Sequence, residues 1–303
     1  MLNPNCFIYT RIKGKHLLPE KKLKATQTED EPGGGGINVS RAIKYLDGSS
    51  KAIYLEGSCN GNYLNKLMQQ EDIDYITANI AANTRMNLML IDESSLLEYR
   101  IGMEAPQITD AEVDNLLSIL QQQNGYNFLV ASGSFPTSIA TNFYAKVAAM
   151  VDGNNAKFIV DTSGKALQEI IKEKVFLLKI NLNELGFLCG IAEDASIEEI
   201  LQTTKKLLSQ INCTVIVVSL GSQGAIMVTN KEFHHILPPT VKVKSTVGAG
   251  DCMVAGMTLA LQQNLPYKEV LKYGIACGSA ATLNSGRGLC SKADVARLLK
   301  EIS

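Results

Sequence analysis

The sequence has neither an excess of one charge nor a long apolar run. Its 303 residues include 29 basic and 30 acidic side chains, so no electrostatic attraction to nucleic acid or to an anionic membrane surface is expected. No apolar stretch approaches the roughly 18 residues that a membrane-spanning helix needs. No basic-then-apolar leader opens the sequence. These absences favour a cytoplasmic protein whose partner is a small molecule.

Paired cysteines and clustered histidines are also lacking. The seven cysteines are odd in number and include no Cys-x-x-Cys pair, which argues against a disulfide framework or a zinc site. We expect reduced, mostly buried thiols. His16, His234 and His235 have no spacing typical of a metal site or a catalytic triad, and we interpret them as surface or structural residues.

Two familiar nucleotide-binding motifs are missing. The run "EPGGGGINVSRAIKYL" (31–46) places four glycines before a helical pattern, where backbone N–H groups and the helix dipole favour an anion. The lysine and hydroxyl residue of a P-loop are absent, because Asn38 and Val39 stand where they are required. No Gly-x-Gly-x-x-Gly follows an N-terminal strand, which disfavours a dehydrogenase.

From about residue 125 onward, short apolar runs alternate with helical patterns, which is typical of βαβ units and a mostly parallel sheet. Residues 138–151 and 196–210 repeat apolar residues at helical spacing, so they are predicted helices that pack on the sheet. The predicted strands are 127–132, 157–161, 175–181 and 214–221. Since no repeat or linker interrupts the pattern, we predict a single α/β domain over 1–303.

Two segments are predicted to form a small β lid on this domain. Residues 84–103 contain two extended pieces around the turn-prone "DESS". Residues 7–30 lack helical periodicity and are rich in lysine and arginine, so they can pair with the first segment. Because isolated two-stranded pieces are marginal in water, we predict a homodimer in which the lids pair across the two chains.

A second glycine motif stands near the C-terminus. In "STVGAGDCMVAGMTLALQQ" (245–263), Gly248, Ala249 and Gly250 precede a predicted helix that starts near Asp251. An aspartate at a helix start is often only a residue favoured by the helix dipole. If these amides held a phosphoryl group, however, the carboxylate would lie beside it and could take the proton of an attacking hydroxyl. The motif therefore suits phosphoryl transfer to an alcohol.

Both glycine motifs resemble the signatures of the PfkB group of ribokinase-like carbohydrate kinases, and the resemblance covers nearly the whole chain. "GGGGINVSRAIKYLDG" and "STVGAGDCMVAG" stand in the order of that family. Seven further segments resemble the branch of the family that phosphorylates sugar phosphates, and most of all the minor type of bacterial 6-phosphofructokinase. They are "TRMNL", "YRIGM", "SGSFP", "IVDTSGKAL", "KINLNEL", "VVSLGSQGA" and "GSAATLNSGRGLCS". This implies a ribokinase-like three-layer α/β fold with a mostly parallel central sheet and a small β lid.

The resemblance implies that the first glycine run approaches the sugar, while the second forms an anion hole for the transferred phosphate. Gly34, Gly35 and Asn38 would then face sugar hydroxyls. Glycine permits close approach of the backbone, and the asparagine amide offers both a donor and an acceptor.

Arg85, within "TRMNL", would bind the phosphate that the substrate already carries, because a guanidinium matches phosphate oxygens in a bidentate fork. Lys22 and Ser134 would assist. For Lys22, an ordinary solvated lysine is an equally open interpretation.

The resemblance also implies an ATP site with Mg²⁺. ATP would lie at the end of a strand, near Ser219, Gly221, Gly224 and Asn284. The segment "KINLNEL" is similar to the family's element that organises Mg²⁺ and phosphates, largely through water, and contributes Lys179, Asn181 and Glu184. On its own, an Asn-x-x-Glu pair is more often a helix cap with a solvated carboxylate.

A monovalent cation such as K⁺ is implied as well. It would be held by carbonyl and hydroxyl oxygens around Ser245, Val247, Ala281, Asn284 and Gly286. No sequence pattern establishes this site independently of the resemblance.

The N-terminus departs from the family pattern. Members open with a buried strand, an asparagine-proline segment and an aspartate that grips sugar hydroxyls. In "MLNPNCFIYT" the strand is expected to be essentially absent, and Cys6 or Phe7 stands at the position of the aspartate. This change is expected to weaken sugar binding, to alter the sugar, or to mark a chain with an altered start.

The function implied is ATP- and Mg²⁺-dependent phosphorylation of fructose 6-phosphate at its C1 hydroxyl. Tagatose 6-phosphate, or fructose 1-phosphate phosphorylated at C6, are alternatives within the same class. A non-catalytic sugar-phosphate sensor is an alternative from another class. The altered N-terminus favours the sensor, whereas the retained Asp251 opposes it.

Overall fold

The computed structural model describes residues 1–284 and 289–302. Within them the chain forms a nine-stranded, mostly parallel sheet with helices on both faces, and a separate four-stranded sheet. The predicted three-layer α/β architecture with a small β lid is confirmed.

The elements follow one another in an alternating order. The strands are β1 (Leu2–Asn3), β2 (Phe7–Gly14), β3 (Ala25–Gly33), β4 (Lys51–Glu56), β5 (Asp74–Asn79), β6 (Arg85–Asp92), β7 (Leu97–Ile101), β8 (Phe128–Ser132), β9 (Lys157–Asp161), β10 (Val175–Asn181), β11 (Cys213–Ser219), β12 (Ala225–Thr229) and β13 (Phe233–Ile236). The helices are α1 (Gly35–Tyr45), α2 (Ser58–Gln70), α3 (Asp110–Gln121), α4 (Phe143–Gly153), α5 (Gly164–Ile170), α6 (Leu182–Cys189), α7 (Ile197–Gln210), α8 (Ala249–Gln262), α9 (Tyr267–Thr282) and α10 (Lys292–Leu299).

The large sheet has the strand order β13-β12-β11-β10-β9-β8-β1-β4-β5. The seven neighbouring strands from β11 to β5 in this order (β11, β10, β9, β8, β1, β4 and β5) all pair in parallel. Strands β12 and β13 add an antiparallel edge. Four of these strands were predicted, and two of them, β9 and β10, have the predicted bounds. Because the parallel strands all end at one edge, their last residues Ser132, Asp161, Asn181 and Ser219 lie along that edge.

The expected absence of the N-terminal strand is wrong. Leu2 and Asn3 form β1, which pairs with β4 on one side and with β8 on the other, in the middle of the large sheet. Leu2 is completely buried in the core between these neighbours. A strand of two residues is too short to produce a detectable alternation of apolar and polar residues, and for this reason the sequence pattern missed it.

Alternate residues of the central strands pack against different helix layers, as expected for a sheet that is buried on both faces. Val130, Ile159 and Leu177 lie in a core with α1, α8, α9 and α10. Their neighbours Leu129, Val160 and Leu178 lie in a second core with α3 to α7.

Helix α7 begins where its sequence predicts. Ser196 precedes the helix, its hydroxyl accepts a hydrogen bond from the Glu199 amide, and the Glu199 carboxylate accepts one from the Ser196 amide. This capping box satisfies two amides at the helix start. In contrast, α4 begins only at Phe143, so the first residues of the helix predicted at 138–151 lie outside it.

The four-stranded sheet, called the lid below, has the order β3-β2-β6-β7. Its centre is a parallel pairing of β2 with β6, from Phe7 opposite Arg85 to Gly14 opposite Asp92. The outer strands β3 and β7 add antiparallel pairs. The structure thus places strands from residues 7–30 and 84–103 in one sheet. A small core that includes Cys6, Ile8 and Leu64 joins the lid to α2.

Five of the seven cysteines are buried, as the sequence predicts, and each is a free thiol in the structure. None of the helices in the described ranges is long and apolar enough to cross a bilayer.

Candidate active site

The second glycine motif forms the start of α8. Gly248 precedes the helix with a φ of 75°, in the left-handed region that glycine adopts without strain. A Cβ at this position would also lie 2.5 Å from Leu289 Cδ2. The turn brings Ala249, Gly250 and Asp251 into the first turn of α8, where backbone amides have no partners within the helix and attract an anion.

The Asp251 carboxylate is held by side chains from two other elements. Asn38 Nδ2, on α1, donates a hydrogen bond to Oδ2 at 2.9 Å, and Ser132 Oγ, at the end of β8, donates one to Oδ1 at 3.2 Å. Burial, and then the charge of Asp161, raise the pKa of Asp251 to about 6, although both hydrogen bonds and Lys179 act in the opposite direction. A carboxylate with this pKa is suited to accept a proton near neutral pH.

Lys179 provides positive charge beneath the glycine turn at residues 248–250, which is called the anion turn below. Its side chain is buried on β10, and Nζ lies 3.2 Å from Asp161 Oδ1 at the end of β9. A Cβ on Gly250 would lie 3.1 Å from the same Nζ, so the ammonium lies directly against the glycine turn. Burial lowers the pKa of Lys179, but the charges of Asp161, Glu184 and Asp251 outweigh it and raise the pKa above its ordinary value. The lysine is therefore charged.

A cleft of about 500 Å³ lies on one side of this turn. Its walls come from the end of β11, the loop 238–243, the start of α8 and the C-terminal half of α9. Three predicted nucleotide residues line it, Ser219, Gly221 and Gly224. Ala249 and Gly250 of the glycine turn also line it, and Met253 and Ile275 add apolar surface. Apolar walls that lead to an anion-binding turn suit a nucleotide, which has a flat base at one end and phosphates at the other.

The other four residues predicted at the nucleotide site, Lys179, Asn181, Glu184 and Asn284, do not line the cleft. Asn181 and Glu184 form the capping box of α6, in which each side chain accepts a hydrogen bond from the other's amide. Burial raises the pKa of Glu184, opposed by the hydrogen bonds with Asn181 and the charge of Lys179, so Glu184 is not the solvated carboxylate of the simple cap. Asn284 Nδ2 donates to the carbonyls of Ala280 and Leu289 at 3.3 and 3.0 Å.

The acidic groups fit a magnesium ion only as outer partners. In the described parts of the chain, no three histidine, cysteine, aspartate or glutamate side chains come together as a metal site. Mg²⁺ retains several waters and often takes its other ligands from substrate phosphates. Asp161 and Glu184 interact electrostatically with Lys179, so they carry negative charge into the surroundings of the anion turn, where such hydrated Mg²⁺ would be attracted.

The residues predicted around a monovalent cation lie partly together. The amides of Lys244 and Ser245 donate to the Thr282 carbonyl, and the Ser245 hydroxyl accepts from the Val247 amide. Residues 244–247 therefore run beside the end of α9, which carries Ala281. Gly286, the last residue of this prediction, lies outside the described residues.

A second cavity of about 250 Å³ lies between the lid and α1. Asn38 and Gly33 line it, and Gly34 and Gly35 stand between these two residues along the chain. Gly34 has a φ of 119°, and a Cβ on Gly35 would lie 2.5 Å from Ser132 Oγ. The glycines thus let the backbone pass close to the residues that hold Asp251, and Asn38 connects this cavity with Asp251.

The lid forms the outer wall of the same cavity. Phe7, Tyr9, Asn87 and Arg100 line it. Arg85 does not, but its guanidinium carbon lies 5.2 Å from the centre of the Phe7 ring. Its Nη1 donates to the Met103 carbonyl at 2.9 Å, and its buried Nε has no partner in the described structure.

Lys22 and Ser134 lie at the margin. Lys22 is exposed in the loop between β2 and β3. Ser134 is exposed after β8, and its hydroxyl accepts a hydrogen bond from Asn5 Nδ2 at 3.3 Å. Neither residue is part of the cavity wall.

A buried arginine ties the lid to the helices below it. Arg41, on α1, donates to the Glu71 carboxylate through Nε and Nη2 at 2.7 and 2.8 Å, and Nη1 donates to the Pro32 carbonyl of β3 at 3.2 Å. Such a two-point guanidinium-carboxylate pair fixes direction as well as distance. The end of the lid strand β3, at Pro32, is therefore held in place beside α1.

Sequence reasoning missed three residues of the site: Ser132, Asp161 and Arg100. Ser132 and Asp161 are the last residues of predicted strands, and polar side chains at the carboxyl ends of parallel strands are a known signal for a binding site. Arg100 stands in "YRIGM", and no local pattern distinguishes it from a solvated arginine.

Comparisons with known proteins agree with this geometry. Residues 7–294 match the model of the pfkB family carbohydrate kinases. The chain is 35% identical over 288 residues to the ATP-dependent 6-phosphofructokinase isozyme 2 of Escherichia coli, covering 95% of this chain and 93% of the relative. It is 32% identical over 271 residues to the 1-phosphofructokinase of Bacillus subtilis, covering 89% and 87%.

Solved structures are similar as well. The structure of phosphofructokinase-2 from Escherichia coli in complex with fructose-6-phosphate superimposes with a TM-score of 0.91 at 32% identity, over 99% of this chain and 97% of the other.

Proposed function

The chain belongs to the pfkB family of carbohydrate kinases, and from this membership we propose that it transfers the γ-phosphoryl group of ATP to the C1 hydroxyl of fructose 6-phosphate. The observation that carries the proposal is the position of Asp251 between two cavities. Gly250 lines the cleft on one side, and Asn38, which binds the Asp251 carboxylate, lines the cavity on the other. A carboxylate at this junction would lie within reach of both reactants.

In this mechanism each element has one task. The cleft beside Ser219, Gly221 and Gly224 holds ATP, and the amides of Gly248, Ala249 and Gly250 receive the phosphoryl group as charge develops. Lys179, charged and packed against Gly250, stabilises the same oxygens. Gly34, Gly35 and Asn38 position the sugar, and Asp251 accepts the proton of the attacking hydroxyl.

Two cations belong to the proposal. Mg²⁺ would neutralise charge on the phosphates and keep several of its waters, and Asn181 and Glu184 would act on it through water. A monovalent cation such as K⁺ would be held near Ser245, Val247 and Ala281, with Asn284 and Gly286. The support is the contact between residues 244–247 and the end of α9.

Coupled measurement of ADP release over a panel of sugar phosphates tests the function. We expect turnover with ATP, Mg²⁺ and fructose 6-phosphate, and much poorer turnover of free fructose, which lacks the phosphate. Fructose 1-phosphate is the control for the alternative activity, because a relative named 1-phosphofructokinase is also similar to the chain. Absence of ADP release with every sugar phosphate, together with measurable binding of one, would indicate the non-catalytic sensor instead.

The lid predicts a homodimer. Its strand β7 and the loops around it expose large apolar side chains, with exposed fractions of 55% for Leu97, 47% for Tyr99 and 41% for Ile101. Because contiguous apolar surface is costly in water, we expect the lids of two chains to cover one another. Sedimentation velocity at micromolar concentration should show a dimer, and a Leu97→Lys, Tyr99→Lys double variant should shift it toward monomer. A monomeric wild-type protein would contradict this pairing.

A further inference from the structure

The cavity between the lid and α1, which the proposed function assigns to the sugar, has an aromatic wall on the side of the lid. The Phe7 ring packs on Gly33 so closely that a Cβ there would lie 2.4 Å from Cε2. Tyr9, two residues further on the same strand face, meets this ring edge-on with 6.2 Å between the ring centres. Arg85 lies over the ring at 5.2 Å. Three neighbours therefore fix the Phe7 ring in the cavity wall.

The carboxylates at the cavity are already engaged. Glu31 lines the cavity, but its oxygens lie 3.5 Å from Arg11 Nη2 and 3.8 Å from Arg41 Nη1. Asp251 is held by hydrogen bonds and serves as the proposed base. The other hydrogen-bonding side chains in the wall are neutral or cationic: Tyr9, Asn38, Arg41, Asn87 and Arg100.

The direction of the substrate follows from the two ends of the cavity. The reacting hydroxyl must lie at Asp251, which Asn38 connects to the cavity. The substrate's own phosphate belongs near the arginines of the lid, Arg85 and Arg100. In this orientation the middle carbons of a ketohexose phosphate lie along the wall that contains Phe7.

We propose that Phe7 is a specificity-determining residue, which makes the site accept ketohexose 6-phosphates as a class and discriminate little between epimers at C3 and C4. This inference rests on the proposed function. A site that hydrogen-bonds a substrate hydroxyl strongly rejects analogues that lack it in the right place, whereas an apolar wall rejects them weakly. A phenyl ring contacts the C–H groups of either epimer and makes no hydrogen bond to the hydroxyl.

The experiment compares kcat/KM for the 6-phosphates of D-fructose, D-tagatose and D-psicose, measured by coupled ADP release. Wild-type values should agree within about tenfold. Phe7→Leu, the matched apolar control, should keep this narrow spread. Phe7→Asp should widen the ratios between epimers by about ten- to a hundredfold, because a charged hydrogen bond to one hydroxyl has this strength. If thermal melting shows that Phe7→Asp is unfolded, Phe7→Asn should widen the ratios in the same direction but less.

Two failures can be told apart. A wild-type spread above tenfold, or unchanged ratios in the folded polar variant, overturns the role of Phe7 but not the kinase. If no ketohexose phosphate releases ADP, the proposed function fails, and calorimetric dissociation constants of the same three sugars decide the role of Phe7. Similar constants support it, whereas one preferred epimer, or no binding at all, contradicts it.

Discussion

Asp251→Asn should lower kcat by at least about 10²-fold while the protein still folds and binds its ligands, because the amide cannot accept the proton of the attacking hydroxyl. The substitution keeps the size of the side chain, and the amide oxygen can still accept a hydrogen bond from Asn38 or Ser132, which now bind the carboxylate. Coupled ADP release with fructose 6-phosphate measures the loss, and calorimetry measures binding. Asp114→Asn, exposed on α3 in the other helix layer, is the matched control and should retain full activity.

The pKa of Asp251 gives this prediction a second measurement. Since the base must be ionised and its pKa is raised to about 6, kcat/KM of the wild type should fall as the pH drops below about 6. Residual activity of Asp251→Asn should lack this fall. A carboxyl whose pKa is higher in the folded state than in the unfolded state destabilises the fold once it ionises. The variant should therefore be at least as stable as wild type at pH 7. Near-normal turnover by the variant would refute the proposed base.

Arg85→Ala should reduce kcat/KM for fructose 6-phosphate by about ten- to a hundredfold, which corresponds to the loss of a charged hydrogen bond of roughly 1.5–3 kcal/mol. The guanidinium lies over Phe7, which lines the cavity, and its buried Nε has no partner in the described structure, so the positive charge of Arg85 lies close to the cavity wall. Steady-state kinetics with fructose 6-phosphate and with free fructose measures the effect. Turnover of free fructose should change little, because that sugar has no phosphate to bind.

Two variants serve as comparisons for Arg85. Lys22→Ala should act in the same direction but less, because an ammonium on a flexible stem lacks the fork geometry of a guanidinium. Arg100→Ala removes an arginine of the cavity wall whose Nη2 lies 3.2 Å from Glu98, and shows whether the phosphate is shared. If Arg85→Ala weakened the binding of ATP and left the binding of the sugar phosphate unchanged, the two cavities would have been assigned the wrong way round.

The sequence was most informative where structure depends on neighbours along the chain. Strands β9 and β10 are short apolar runs between turn residues, so their bounds could be predicted. The start of α7 follows from Ser196 and Glu199, a local hydrogen-bonding pair. Both glycine motifs were identified for the same reason, because each stands immediately before its helix.

What depends on distant contacts was not predictable in this way. Strand β1 exists because Leu2 fits between β4 and β8, and nothing in two residues announces this. The parallel register of Phe7 with Arg85 joins segments far apart in the chain. Asp161 and Ser132 become part of the site only because β8 and β9 are neighbours and α8 starts above them. Their position at the carboxyl ends of strands is a general signal for a binding site, but the local sequence does not show which other elements they meet.

The connection between the lid and α1 is very short. Strand β3 ends at Gly33 and α1 begins at Gly35, so a single residue, Gly34, separates them. Asn38 lies in the first turn of α1, so β3 is connected through Gly34 to Asn38 and from there to Asp251 by their 2.9 Å hydrogen bond. Under the proposed function, a substrate phosphate bound at the lid would act on the proposed base through this connection. Substrates that lack this phosphate should then lose turnover rate as well as affinity, because binding energy from a remote group can be used at the reacting centre.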